Sequence, residues 1–100
     1  MKVKNITNSK GRPVVNQFIL SESGNGANGN YILKEVFQSY SSVIAERITW
    51  IDSIDITLDK NYWDYSTTTG KYRNLFLGET KKETKEKIEK GVYKLSDLNK

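Results

Sequence analysis

Neither cysteine nor histidine occurs anywhere in the chain of 100 residues. No disulfide can form, no thiolate is available as a nucleophile, and the commonest metal ligand and general base near neutral pH is missing. Structural zinc, histidine triads, thiol chemistry and histidine-metal hydrolysis are thereby excluded. Carboxylates remain available to Mg²⁺ or Ca²⁺. No run approaches the roughly 18 apolar residues that span a bilayer, and Met1-Lys2-Val3-Lys4 is followed by no apolar secretory core. The expectation is a cytoplasmic protein with no membrane contact and no cofactor.

The apolar share is also low, at 36%, but two tryptophans, three phenylalanines and six tyrosines can fill one core. A chain of this length supports a single domain over residues 1–100. Its net charge of +4 is unevenly spread. Residues 1–30 carry Lys2, Lys4, Lys10 and Arg12 against Glu22 alone. Residues 31–70 are acidic, and from Lys71 onward nine cations face five acids. Such asymmetry points to an acidic partner, while the blander reading is charge for solubility.

Lys2–Thr7 reads as a short strand, and Asn8 to Pro13 supplies turn chemistry before the apolar Val14–Leu20. The Gly/Asn-rich stretch 21–30 offers almost nothing to bury and reads as a flexible loop. Ile54, Ile56 and Leu58 alternate with Asp55, Thr57 and Asp59, the pattern of a strand with one wet face. Ser66 can cap a helix that presents Tyr72, Leu75 and Phe76 and stops at Gly78. Thr80 and Glu83 form a capping box for a second helix over about Lys81–Lys90, with Gly91 as terminator. On that helix Glu83–Lys87 and Glu86–Lys90 have favourable i,i+4 order, and Thr84 with Ile88 makes a narrow inner stripe.

Tyr31–Ile48 is ambiguous. Leu33, Val36, Phe37, Tyr40, Ile44 and Ile48 recur at helical spacing, yet the composition favours strands, and Ser39-Tyr40-Ser41-Ser42 suits a bend between two of them. Three segments bear on the choice: Asn16-Gln17-Phe18-Ile19, Phe37-Gln38-Ser39-Tyr40 through Ile44-Ala45, and the block from Trp63-Asp64-Tyr65-Ser66 through Gly70-Lys71-Tyr72-Arg73 to Gly78-Glu79. In these the chain resembles a group of small proteins carried by phages and mobile elements of low-GC bacteria. The resemblance implies a β-hairpin over 31–48, and with it an α+β fold: an antiparallel β-sheet of about five strands followed by two short C-terminal helices. It supplies no catalytic residues.

The apparent fingerprint G-x-G-x-x-G at Gly24–Gly29 lacks room for the parallel sheet that would surround a dinucleotide, and Gly70-Lys71 is no phosphate loop because Tyr72 follows the lysine. Asp52, Asp55, Asp59 and Asp64 match no metal-binding loop and read as solvent-facing acids. More informative are Lys71 and Arg73, which have no acidic neighbour at i±3 or i±4 and follow a helix start that favours anions. Tyr62 and Tyr65 add candidate stacking rings, and Lys10 and Arg12 add cations in the first turn. These six residues are the expected partner-binding set, with Trp63 assigned to the core.

The expected function is non-catalytic. The resemblance implies a phage or mobile-element accessory protein that binds host or phage nucleic-acid machinery, and inhibition of a host defence system such as a CRISPR nuclease fits its size and class. The alternative is a small nucleic-acid-binding module.

Overall fold

A computed structural model describes residues 1–27 and 30–100. Five strands, β1 (Lys2–Thr7), β2 (Pro13–Ser23), β3 (Leu33–Ser39), β4 (Ser42–Thr49) and β5 (Ile54–Asp59), pair in sequence order as an antiparallel meander. Helices α1 (Thr67–Leu77) and α2 (Lys81–Glu89) follow. The expected α+β architecture is therefore present, and 31–48 is a hairpin. One strand is additional: β6 (Lys94–Ser96) returns after the helices and lies parallel to β5. Three residues are too short to display an alternating pattern, so this strand leaves no signature of its own.

The helical spacing within 31–48 has a simple origin. Leu33 and Phe37 are four apart, a separation that also returns a strand to the same face. Phe37 pairs with Ala45 but Gln38 pairs with Val43, so Ile44 is an extra residue bulged out of β4. Consecutive Ile44 and Ala45 are both fully buried, which unbroken alternation would forbid. β2 also runs three residues further than expected, because Ser21, Glu22 and Ser23 pair with Glu35, Lys34 and Leu33. Residues 28 and 29 of the expected loop lie outside the described residues.

One sheet face carries the core. Phe37, Ala45 and Leu58 meet Tyr72 and Phe76 of α1, and the Phe37 and Phe76 rings stack at 5.8 Å. Full burial of each large apolar side chain contributes about 1.5–3 kcal/mol. The opposite face has the row Val3, Leu20, Val36, Glu46 and Thr57, none of which is buried.

Helix ends follow the sequence signals. The Ser66 hydroxyl accepts from the Thr69 amide at 3.1 Å, and the Thr80–Glu83 capping box is complete. Gly91, at φ +75°, turns the chain out of α2 so that the Val92 amide donates to the Lys87 carbonyl at 2.9 Å. Among the described residues the expected Glu83–Lys87 ion pair does not form. Glu83 is engaged in the capping box, and Lys87 donates instead to Glu79 at 2.7 Å. Glu79 also accepts from Thr84 at 2.6 Å and from Tyr93 at 2.8 Å, and so ties the α1–α2 corner to the segment entering β6.

An antiparallel meander has two ends. The β1–β2 turn, the β3–β4 turn and the β5–α1 link share one end; the β2–β3 loop and the β4–β5 turn share the other. Lys10 and Arg12 lie at the first end and Asp52 at the second, but the charge asymmetry of the sequence maps onto the ends only in part: Lys2, opposite Ser21, begins β1 at the second end, and Asp59 and Asp64 lie at the first.

Candidate macromolecular interface

The first end is organised by an acid that strand parity assigned to water. Asp59, the last residue of β5, is fully buried. Its carboxylate accepts from the amides of Asn61 at 3.0 Å, Tyr62 at 2.9 Å and Leu98 at 2.8 Å. Burial pushes this carboxyl up, but the hydrogen bonds from Leu98, Asn99, Asn61 and Tyr62 outweigh it and hold the group below its ordinary value. The expectation that Asp59 faces solvent is thus corrected: the chain after β6 folds back over the end of the strand. Asn99 completes that return by bonding both the amide and the carbonyl of Val43, at 2.7 and 2.8 Å.

The turn braced by Asp59 delivers the two tyrosines. Tyr62 and Tyr65 are 37% and 45% exposed, and their rings meet edge to face at 5.3 Å. Trp63 between them packs against the core, as expected.

Arg73 departs from expectation. It is 1% exposed, not a free surface cation. One guanidinium nitrogen donates to the Trp63 carbonyl at 2.7 Å and to Asp64 at 3.2 Å, and the other donates to the Asn74 side chain at 3.0 Å. The guanidinium carbon sits 5.3 Å from the Trp63 ring centroid. Asp64 also takes Lys81 at 2.8 Å. Desolvation raises the Asp64 carboxyl, but the hydrogen bonds from Lys81 and Arg73 prevail and lower it overall. The open depression of about 580 Å³ at the start of α1, lined by Asp64, Tyr65, Ser66, Lys71, Arg73 and Lys81, therefore already holds a carboxylate between two of its cations. The inner stripe of α1 shifts accordingly: Arg73 faces inward, and Leu75 is 55% exposed.

Lys71 keeps its expected place. It is exposed, forms no ion pair among the described residues, and holds its ammonium 5.5 Å from the Tyr72 ring centroid. It lines both the depression beside Tyr65 and a second one of about 300 Å³ shared with Thr7, Asn8, Ser9 and Leu75. The fold thus sets α1 against the β1–β2 turn. The Asn8 side chain accepts from the amides of Lys10 at 2.9 Å and Arg12 at 3.0 Å, which orders the turn that exposes both cations. Of the six expected residues, Lys71, Tyr62 and Tyr65 gather along the β5–α1 link and α1, Lys10 and Arg12 extend from the adjoining turn, and Arg73 belongs to the interior.

Arg47 was not anticipated by sequence reasoning. It donates to Glu35 at 3.0 Å and to the Phe76 carbonyl at 2.7 Å, pinning the end of α1 to the sheet. The missed signal is its cross-strand position opposite Glu35. Among the described residues no group of three or more carboxylates converges as a metal site. No helix of the described residues is long and apolar enough to cross a membrane. The apparent dinucleotide fingerprint leads into strand β3; part of it, Asn28 and Gly29, lies outside the described residues. Its Gly24 serves close packing instead, since a Cβ there would collide with the Tyr31 carbonyl.

A family model covers residues 1–92 of this chain, all five meander strands and both helices. The chain belongs to a family of unknown function, DUF8033. No curated protein and no solved structure matches it.

Gly70 offers a test of the packing beneath the site. The three atoms nearest a Cβ added there, outside the helix's own backbone, belong to the Arg73 guanidinium, at 3.5 Å and beyond, which is ordinary contact. Gly70→Ala is expected to stabilise the protein by about 0.5–1 kcal/mol through helix propensity. Chemical denaturation should show a higher midpoint with unchanged slope; a lower midpoint would mean that the guanidinium cannot tolerate the methyl group.

Proposed function

We propose that this DUF8033 chain is a non-catalytic accessory protein of a phage or mobile element, acting in the bacterial cytoplasm by covering a surface of host or viral nucleic-acid machinery. Inhibition of a host defence nuclease is the form of this activity that suits its size. The observation that supports a binding role most is Lys71, an exposed cation without an ion-pair partner among the described residues, placed between two open depressions beside an exposed tyrosine pair and a basic turn. Nothing in that arrangement needs a reaction: it offers charge, two rings and the exposed apolar Leu75 to an acidic, partly apolar surface.

The same exposed rings and cations favour a second reading, a small module for single-stranded nucleic acid. Capture from host lysate on the tagged chain separates the two. A stoichiometric protein, retained as salt is raised, supports the first reading. Recovery of nucleic acid alone supports the second, with log affinity falling against log salt by nearly one for each phosphate contact.

A further inference from the structure

The opposite end of the sheet carries a patch that the proposed site does not use. Ile51, in the β4–β5 turn, is 74% exposed, Ile54 at the start of β5 is 58% exposed, and Ile32 before β3 is 42% exposed. Ile32 and Ile51 are close together: a Cβ on Gly26 would lie 3.2 Å from an Ile32 carbon and 3.6 Å from an Ile51 carbon. Ile51 and Ile54 line one depression with Trp50, whose indole donates to Asp55 at 2.9 Å and whose ring meets Tyr31 at 6.5 Å. The Trp50 amide closes the turn on the Ser53 carbonyl at 2.8 Å, so the isoleucine at its tip is held outward by a formed turn. Turn tips are built from Gly, Asn, Asp and Ser, and an outward isoleucine adds nothing to the turn itself.

Charge sets the character of this end. The stretches 21–32 and 49–55 contain Glu22, Asp52 and Asp55 and no lysine or arginine, in a chain whose net charge is +4. Glu22 lies against Tyr31. Two cations lie in the strand register at this end: Lys34 sits opposite Glu22 and is paired with Glu46 at 3.7 Å, and Lys2 sits opposite Ser21 on the edge strand β1, three strands away from β4. Scattered single hydrophobics are ordinary on a protein surface, but an exposed apolar group with a polar rim marks an interaction site, and the charges nearest Ile51 here are acidic.

We propose that Ile32, Trp50, Ile51 and Ile54 form a second docking surface, for a protein segment that presents an apolar stripe flanked by lysine or arginine. The partner chemistry follows from the rim: an acidic border favours a basic segment and repels an acidic one. This surface lies at the far end of the meander from Lys71.

The test uses the full chain and two synthetic amphipathic peptides with an identical leucine stripe, one flanked by lysine and arginine and the other by glutamate. Binding is followed by amide chemical shifts, which distinguish Trp50 and Ile51 from Trp63. The basic peptide is expected to bind at least about tenfold more tightly than the acidic one, with shifts centred on Ile32, Ile51 and Ile54. Ile51→Ser with Ile54→Ser should weaken it by about tenfold or more. Asp52→Lys, which leaves the apolar group intact, should reduce the preference for the basic peptide, while Lys71→Glu should leave both the shift pattern and that preference in place. All these side chains are exposed, and an unchanged melting curve checks that each variant is folded. Equal binding of the two peptides, binding of neither, or a preference that survives the isoleucine variants would overturn the proposal. Self-association in sedimentation that is lost with Ile51→Ser would also overturn it, by assigning the patch to a second copy. Failure here leaves the Lys71 reading standing, because that control reports on the other end.

Discussion

Arg73→Ala is expected to be the most damaging single substitution at the first end, lowering stability by about 3–5 kcal/mol, a large part of the about 5–15 kcal/mol available to a domain of this kind. The guanidinium is 1% exposed and joins the Trp63 carbonyl, Asp64 and the Asn74 side chain, so its removal leaves a cavity and unpaired acceptors together. A thermal melt should show a fall of more than about 15 °C. Arg73→Lys should recover little, because an ammonium cannot reproduce the planar fork that reaches three partners. A melting temperature within a few degrees of the parent would mean that the interior of α1 is not organised around this side chain. Charge reversal at Arg73 therefore cannot serve as a test of binding, since it tests folding first.

Glu79→Ala is expected to cost about 2–4 kcal/mol, because it leaves the buried Thr84 hydroxyl and the Tyr93 phenol without their acceptor. Lys87→Met, on the same hub, should cost less than about 1 kcal/mol, since the Lys87 side chain is 42% exposed and Glu79 keeps its bonds from Thr84 and Tyr93. The hub also carries a pH signature. Desolvation raises the Glu79 carboxyl, but hydrogen bonds from Lys87, Thr84 and Tyr93 leave it lowered overall. Asp59 and Asp64 are lowered as well. A carboxylate whose folded pKa lies below its unfolded one stabilises the fold above the unfolded value and loses that contribution as pH falls through the folded value. Stability should thus be nearly flat above about pH 5 and decline below about pH 4.5 as the three groups protonate. Glu79→Gln should flatten part of that decline. An acid limb identical to that of the parent would contradict the assignment of Glu79 as a contributor.

The elements legible in the sequence were those whose signals are local. Alternation in Ile54–Asp59, the Ser66 cap, the Thr80–Glu83 box and the terminators Gly78 and Gly91 each act over a few residues, and each is where expected. Periodicity in 31–48 was ambiguous because a spacing of four satisfies both a helix and a strand, and the Ile44 bulge then breaks the alternation that would have decided it. The candidate site was legible only in part, for a related reason. A search of neighbours at i±3 and i±4 describes helix surfaces, and by that rule Lys71 and Arg73 are equivalent. Their difference comes from Asp64, nine residues before Arg73 and brought to it by the β5–α1 link. A helical wheel holds a partial clue, since Arg73 falls on the stripe of Thr69, Tyr72 and Phe76. Asp59 misled for the same cause: strand parity gave it a wet face, and Leu98, 39 residues later, covers it.

The most direct test of the binding role compares two charge reversals on the partner recovered from lysate. Lys71→Glu with Lys10→Glu alters the end where α1 meets the β1–β2 turn, and Lys82→Glu with Lys85→Glu alters exposed lysines of α2 by the same net charge. All four side chains are exposed and none forms an ion pair among the described residues, so both variants should melt like the parent. The account predicts that the first pair weakens binding by about tenfold or more, chiefly through slower association, and that the second changes it by less than about threefold. Equal losses would mean that only bulk charge matters, and no loss from the first pair would contradict the assignment of this end as the interface.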